Sequence, residues 1–112
     1  MTDIARLNET LASSLEAFKQ KLGTPENEFE ALAHPFIIEA FRLGWLQFVV
    51  DIGKSKRRVH WLKLMALEAT TRFETALGKS KDEATEKRRK HVLKAFEAGW
   101  LTAACDLRRR VA

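Results

Sequence analysis

Apolar residues recur every three or four positions in two separate stretches of the chain, which is the spacing of one face of an α-helix. Each of these stretches ends at a glycine, and each is followed by a second stretch that is more uniformly apolar. The pattern therefore predicts four helices and an all-α fold. The apolar positions of the first helix are Ile4, Leu7, Leu11, Leu15, Phe18 and Leu22, and those of the third are Val59, Leu62, Ala66, Thr70, Phe73 and Leu77.

The second half of the chain repeats the first at a spacing of 55 residues. The segment 40–46 (AFRLGWL) aligns with 95–101 (AFEAGWL), and other apolar positions match along the whole length. Large side chains in one copy correspond to small ones in the other, as close packing between the copies requires. The size-matched pairs are Leu43 with Ala98, Phe48 with Ala103, Val49 with Ala104 and Val50 with Cys105.

This repeat predicts how the four helices are arranged. We expect a single domain, 1–112, folded as a four-helix bundle of two pseudo-symmetric helical hairpins. Repeat one would occupy residues 1–55 and repeat two residues 56–112. Between the helices of each hairpin, Gly23 and Gly78 lie where a C-cap belongs. The next helices are expected to start at an N-cap Thr24 followed by a proline, and at a capping box of Ser80 with Glu83.

The second helix of each copy is apolar over most of its circumference, so we expect neighbouring helices to enclose it. Gly44 and Gly99 lie in the middle of these helices, where glycine costs about 1 kcal/mol relative to alanine. Close approach of another helix at these positions would offset that cost. Pro35 is expected to kink or split the helix that contains it, because proline lacks the backbone N–H and clashes with the preceding turn.

Composition narrows the class of protein further. The chain is 46% hydrophobic and 31% charged, as globular helical proteins are, and its 2 prolines and 5 glycines leave little turn chemistry for an all-β fold. No signal peptide opens the sequence, and the apolar stretch 35–52 contains three charged residues, so it makes a poor membrane span. A single cysteine fits a reducing compartment. We expect a cytoplasmic protein with no membrane contact.

Charge is distributed unevenly between the two halves. Residues 1–53 carry a net charge of −4 and residues 54–112 a net charge of +9. Three basic clusters, at 54–58, 87–90 and 108–110, account for most of the positive charge of the second half. The four consecutive cations at 87–90 repel one another, and a phosphate backbone would relieve that repulsion. The alternative is that cations near helix C-termini simply complement the helix dipole, which applies to the first and last clusters. The predicted nucleic-acid-binding residues are Lys54, Lys56, Arg57, Arg58, Lys87, Arg88, Arg89, Lys90, Arg108, Arg109 and Arg110.

A second candidate surface lies on the third helix, away from its apolar face. Trp61, Leu64 and Leu67 correspond to Arg6, Glu9 and Ala12 in the first copy, so the second copy gains apolar surface there. An exposed apolar patch usually marks a partner interface. Alternatively, these side chains pack on the segment around Phe29, Leu32 and Phe36.

Other chemistry finds no support in the sequence. His34, His60 and His91 have no metal-ligand spacing, phosphate-binding glycine loops are absent, and Cys105 lies on an apolar helix face where core packing is the ordinary role. We therefore expect no metal, no cofactor and no enzyme activity.

Two functions remain. The first is a basic helical protein that contacts the nucleic-acid phosphate backbone without sequence specificity. On composition alone, it resembles small helical subunits of larger nucleoprotein complexes. The alternative is a protein-interaction or inhibitor module that acts through Trp61, Leu64 and Leu67, with homo-oligomerisation as one form of it.

Overall fold

The computed structural model is built from four α-helices, and the residues it describes contain no strand. It describes residues 2–54, 62–78 and 82–111, with side chains for 5–28, 30–51, 62–78, 82–83 and 85–107. In chain order, α1 spans Thr2–Leu22, α2 spans Glu28–Lys54, α3 spans Leu62–Leu77 and α4 spans Glu83–Val111. The helices pack as a bundle. The predicted all-α bundle is therefore confirmed.

The two long helices, α2 and α4, share the largest interface of the molecule. Near the start of both helices, the Arg88 guanidinium lies 6.0 Å from the centre of the Phe36 ring. Near the end of both, the Trp45 indole N–H donates to Asp106. Because contacts advance along both helices in the same direction, α2 and α4 run parallel. Their C-terminal ends consequently lie at the same end of the bundle.

The backbones of α2 and α4 approach each other closely at two glycines. A Cβ built on Gly44 would stand 1.9 Å from the backbone oxygen of Phe96, and one on Gly99 would stand 2.0 Å from that of Phe41. No larger residue fits at either place without movement of a backbone. The predicted close approach of a helix at both glycines is confirmed.

The shorter helices, α1 and α3, flank this central pair. The Phe18 ring of α1 stacks on Phe41 of α2, and the Phe73 ring of α3 stacks on Phe96 of α4, both at 4.2 Å between ring centres. The buried core runs through all four helices and is dominated by α2 and α4. It consists of Leu11, Ala33, Ile37, Ala40, Phe41, Trp45, Phe48, Met65, Ala66, Ala69, Val92, Ala95, Phe96, Trp100, Ala103 and Ala104.

The ends of the helices follow the sequence signals in part. Gly23 and Gly78 have φ values of 74° and 79°, the left-handed conformation of a helix C-cap, as predicted. The predicted helix start at Thr24 is wrong, because Asn27 accepts the Glu30 backbone N–H on its side chain and α2 begins at Glu28. Short polar side chains one residue before a helix satisfy its unpaired N–H groups in this way.

The start of α4 is capped by the same device. Asp82 accepts the backbone N–H of Thr85 at 2.7 Å, so Asp82 is the N-cap and α4 begins at Glu83. The capping box predicted at Ser80 is therefore wrong in position, and Ser80 itself lies outside the described residues.

Two expectations about α2 also need correction. Pro35 does not split it, since α2 is one continuous helix with Pro35 inside. Pro35 and Ala31 are both exposed, so solvent can satisfy the Ala31 carbonyl that proline leaves without its helical donor. Nor is α2 enclosed on all sides, because Leu43 and Val50 are exposed. Cys105 of α4, expected in the core, is exposed as well.

Candidate functional site

The four consecutive cations of α4 point to two different sides of the helix. Lys87 and Lys90 are exposed, and so are His91 and Lys94 one turn further on. Since residues three and four apart share a helix face, these four side chains form one row on the solvent side of α4, here called the basic row. Along the helix axis the row covers about 10 Å.

Arg88 and Arg89 lie on the opposite side of α4, turned towards its neighbours, and both are half-buried. The Arg89 guanidinium donates to the backbone oxygen of Glu74 in α3 at 3.3 Å. The Arg88 guanidinium lies over the Phe36 ring of α2. Both arginines therefore tie α4 to adjacent helices, and they border a groove rather than the open surface that holds Lys87 and Lys90.

The sequence pattern alone does not reveal that groove. It has a volume of about 340 Å³ and lies where α2, α3 and α4 meet. Its polar and charged lining residues are Glu39, Thr85, Arg88 and Arg89. The apolar groove is lined mainly by Phe36, Leu43, Phe73, Leu77 and Val92.

An exposed line of apolar side chains runs along α2 beside this groove. Leu32, Phe36, Leu43 and Val50, here called the α2 stripe, are 64%, 58%, 39% and 47% exposed. The signal was present in the sequence as a spacing of four, seven and seven residues. Because α2 is apolar over most of its circumference, periodicity alone does not distinguish its buried side from its exposed side.

The first and last basic clusters begin at the same end of the molecule. Lys54 is the last residue of α2, and Arg108, Arg109 and Arg110 belong to the final turn of α4. Because α2 and α4 run parallel, their backbones bring these positions to one end of the bundle. Lys56, Arg57 and Arg58 lie outside the described residues, as do the side chains of Lys54 and of the three arginines.

The α3 surface predicted to bind a partner is partly described. Leu64 and Leu67 are 41% and 56% exposed, one turn apart on the outer side of α3, and Trp61 lies outside the described residues. The alternative had these side chains packed against Leu32 and Phe36, but those two residues are themselves exposed. The side chain of Phe29 is not among the described ones.

Partly buried polar contacts join α2 and α4 in their C-terminal halves. The Trp100 indole N–H donates to Asp51 at 2.9 Å, and the Trp45 indole N–H donates to Asp106 at 3.3 Å. Asp51 also accepts from Gln47 at 2.9 Å and pairs with Arg72 of α3 at 3.3 Å, while Ser14 of α1 donates to Asp106. Both carboxylates therefore link neighbouring helices, and their role is to stabilise the bundle.

Metal ligands do not gather in the described part of the chain: no three His, Cys, Asp or Glu side chains there could hold a metal ion together. His34 is half-buried on α2 and His91 is exposed on α4, while His60 lies outside the described residues. Within the same described residues, no helix has both the length and the apolar character needed to cross a membrane.

Comparison with known proteins found no significant match. No protein-family model, curated protein or solved structure is similar to this chain at a significant level.

Proposed function

We propose that this chain is a non-enzymatic binding protein that contacts nucleic acid through the phosphate backbone. The observation that carries the proposal is the basic row, where Lys87, Lys90, His91 and Lys94 lie exposed on one face of α4. A row of cations along a helix can neutralise successive phosphates and release their counterions. Contacts to phosphates position a nucleic acid without reading its bases, so we expect affinity without sequence specificity.

The charge of the whole chain supports the same function. The formal net charge is +5 and the sequence pI is about 9.7, which favours attraction to a polyanion over long distances. The C-terminal ends of α2 and α4, where Lys54 and Arg108 to Arg110 are located, add a second basic region at one end of the bundle. A nucleic acid that follows α4 would pass both regions. A place as a small subunit of a nucleoprotein complex is part of this proposal.

Fluorescence anisotropy with labelled single- and double-stranded DNA and RNA, repeated across salt concentrations, tests the proposal. We expect binding that weakens steeply with salt. In Lys87→Gln/Lys90→Gln, the log–log salt slope on duplex DNA should fall by about 2, and affinity at low salt should fall roughly tenfold, since two phosphate contacts are lost.

The matched control removes the same charge elsewhere. Lys19→Gln/Lys21→Gln changes two exposed lysines of the last turn of α1 and should bind like the wild type. Equal weakening in both variants would mean that net charge alone attracts the nucleic acid and the basic row is not the site. Absence of binding at low salt, where electrostatic attraction is strongest, would overturn the function itself.

A protein-interaction or inhibitor module is the second candidate, favoured by the exposure of Leu64 and Leu67 on α3. Large apolar side chains side by side on one helix face gain by being covered. Chemical cross-linking of the tagged protein in its native cells, compared between the wild type and Leu64→Glu, tests this candidate. A protein partner lost only in the variant would support it, while Leu64→Glu should leave nucleic-acid binding unchanged.

We further propose that the bundle is a pseudo-symmetric tandem repeat. Its support is that several contacts in the bundle occur twice. When each residue of one contact is replaced by the residue 55 positions away in the other copy, the result is another observed contact. The N-cap residues Asn27 and Asp82 differ in position by the same number. The matched contacts are Phe18–Phe41 with Phe73–Phe96, Gly44–Phe96 with Gly99–Phe41, and Trp45–Asp106 with Trp100–Asp51.

A further inference from the structure

The α2 stripe places four exposed apolar side chains along one side of α2, with the exposed Glu39 between Phe36 and Leu43 on the same side. At 100° per residue, Leu32, Phe36, Leu43 and Val50 fall within an arc of about 40° and cover about 27 Å of helix. The opposite side of α2, with Ile37, is buried in the bundle. Single exposed apolar residues are normal on a protein, but four in line on one helix mark a surface that is covered by something.

We propose that a second copy of this chain covers the α2 stripe, with its own α2 lying antiparallel across a two-fold axis at Leu43. This inference concerns a surface separate from the basic row and does not depend on nucleic-acid binding. Its first support is the spacing of the stripe. Apolar residues seven positions apart stay on one seam between two α-helices, so the natural occupant is a helix.

The stripe is complementary to itself in shape. With the two-fold axis at Leu43, this residue faces its own copy, and Phe36 faces Val50 of the other copy. A large ring therefore meets a smaller side chain on both sides of the axis, so this part of the stripe is complementary to itself, as an isologous interface requires. The apolar groove beside Phe36 and Leu43 offers about 340 Å³ of space into which the partner's side chains can pack.

Charge favours the same orientation. The first turn of α2 carries Glu28 and Glu30, and the helix ends at Lys54. In the antiparallel arrangement, the acidic start of each α2 lies beside the basic end of the other. A parallel arrangement would place like charges together, so complementarity selects the antiparallel dimer.

Disulfide trapping tests the two-fold axis directly. In a Cys105→Ser background, Leu43→Cys places one cysteine where it should meet its own copy, and mild oxidation should convert most of the protein into a covalent dimer. A disulfide forms only when the two Cα atoms come within about 7 Å. The control is Leu64→Cys in the same background, which is 41% exposed against 39% for Leu43 but lies on α3. It should form no covalent dimer over the same time.

Sedimentation of the unmodified chain provides an independent measurement. We expect a dimer for the wild type at high micromolar concentration and for Leu64→Glu, and a monomer for Leu43→Glu and Val50→Glu, each with unchanged helical circular dichroism. Equal cross-linking of Leu64→Cys and Leu43→Cys, or loss of the dimer in Leu64→Glu instead, would overturn the proposal. A monomeric wild type would also overturn it.

Discussion

Gly44 and Gly99 determine how closely the two central helices approach. Each lies against a backbone carbonyl oxygen of the other helix, at a distance that leaves no room for a Cβ. A backbone atom cannot move aside as the end of a flexible side chain can. The cost of glycine within a helix, about 1 kcal/mol relative to alanine, is therefore offset by packing of Trp45 and Trp100, which are fully buried beside these positions.

We predict that Gly44→Ala lowers the free energy of unfolding by about 3 kcal/mol or more, at the upper end of the overpacking range. The gain in helix propensity is too small to compensate. Urea denaturation followed by circular dichroism measures the change. Gly23→Ala is the control, because no atom lies near its added Cβ and only the left-handed backbone conformation costs it about 1–2 kcal/mol.

The double variant Gly44→Ala/Gly99→Ala adds a second criterion. Once one alanine has forced α2 and α4 apart, the other should cost much less than it does alone, so the two losses should not add. Fully additive losses, or a stable Gly44→Ala protein, would contradict the close approach.

Asp51 shows how a charged residue contributes to the core of this protein. It accepts the indole N–H of Trp100, which is fully buried, and it also joins Gln47 and Arg72. Removing the carboxylate would leave a buried donor without its acceptor, at a cost of about 1–3 kcal/mol. We predict a loss of that size for Asp51→Ala in urea denaturation, and a smaller loss for Asp51→Asn, which keeps an acceptor oxygen.

A solvent-exposed ion pair provides the control for the Asp51 variants. Glu39 pairs with Arg42 at 2.8 Å, and both side chains are about half exposed. Glu39→Ala should therefore change the free energy of unfolding by less than about 1 kcal/mol. If Asp51→Ala were no more harmful than Glu39→Ala, the hydrogen bond to Trp100 would contribute little to stability.

At the scale of the helices, the sequence predicts that a helix is present more accurately than it predicts where the helix begins and ends. Apolar periodicity predicts all four helices, and Gly23 and Gly78 mark two C-termini correctly. Sequence signals alone misplace the starts of α2 and α4, because several residues in each loop can serve as an N-cap. Only the local backbone geometry selects Asn27 and Asp82, and that geometry depends on how the chain enters the bundle.

The candidate binding surfaces are less predictable for a related reason. Consecutive cations at 87–90 read as one cluster, but a helix separates neighbours by about 100°, which places Lys87 outside and Arg89 against α3. The α2 stripe was missed because α2 is apolar on both its buried and its exposed sides. Tertiary packing decides which side is covered, and periodicity carries no information about it.

At the scale of the whole molecule, the parallel packing of α2 and α4 makes the two halves of the chain dependent on each other. Each half contributes one central helix, and the interface between these helices is larger than the contact of either with its own flanking helix. In the first half, Gly44 packs against Phe96, Phe48 against Trp100 and Trp45 against Asp106, and all three of these partners belong to the second half. A half alone lacks most of the core.

We predict that the fragments 1–55 and 56–112 are each largely unfolded as monomers, and that mixing them in equal amounts restores the helical circular dichroism of the intact chain. Burial of apolar surface between α2 and α4 is the driving force. If the tandem repeat is correct, fragment 1–55 should also form a weak homodimer at high concentration, because Gly44 of one copy can then lie against Phe41 of another. The Gly44→Ala version of 1–55 is the control and should neither pair with itself nor complement 56–112. A fragment that folds alone as a stable monomer would show instead that each hairpin folds independently. The large interface between α2 and α4 would then join two hairpins that are already folded.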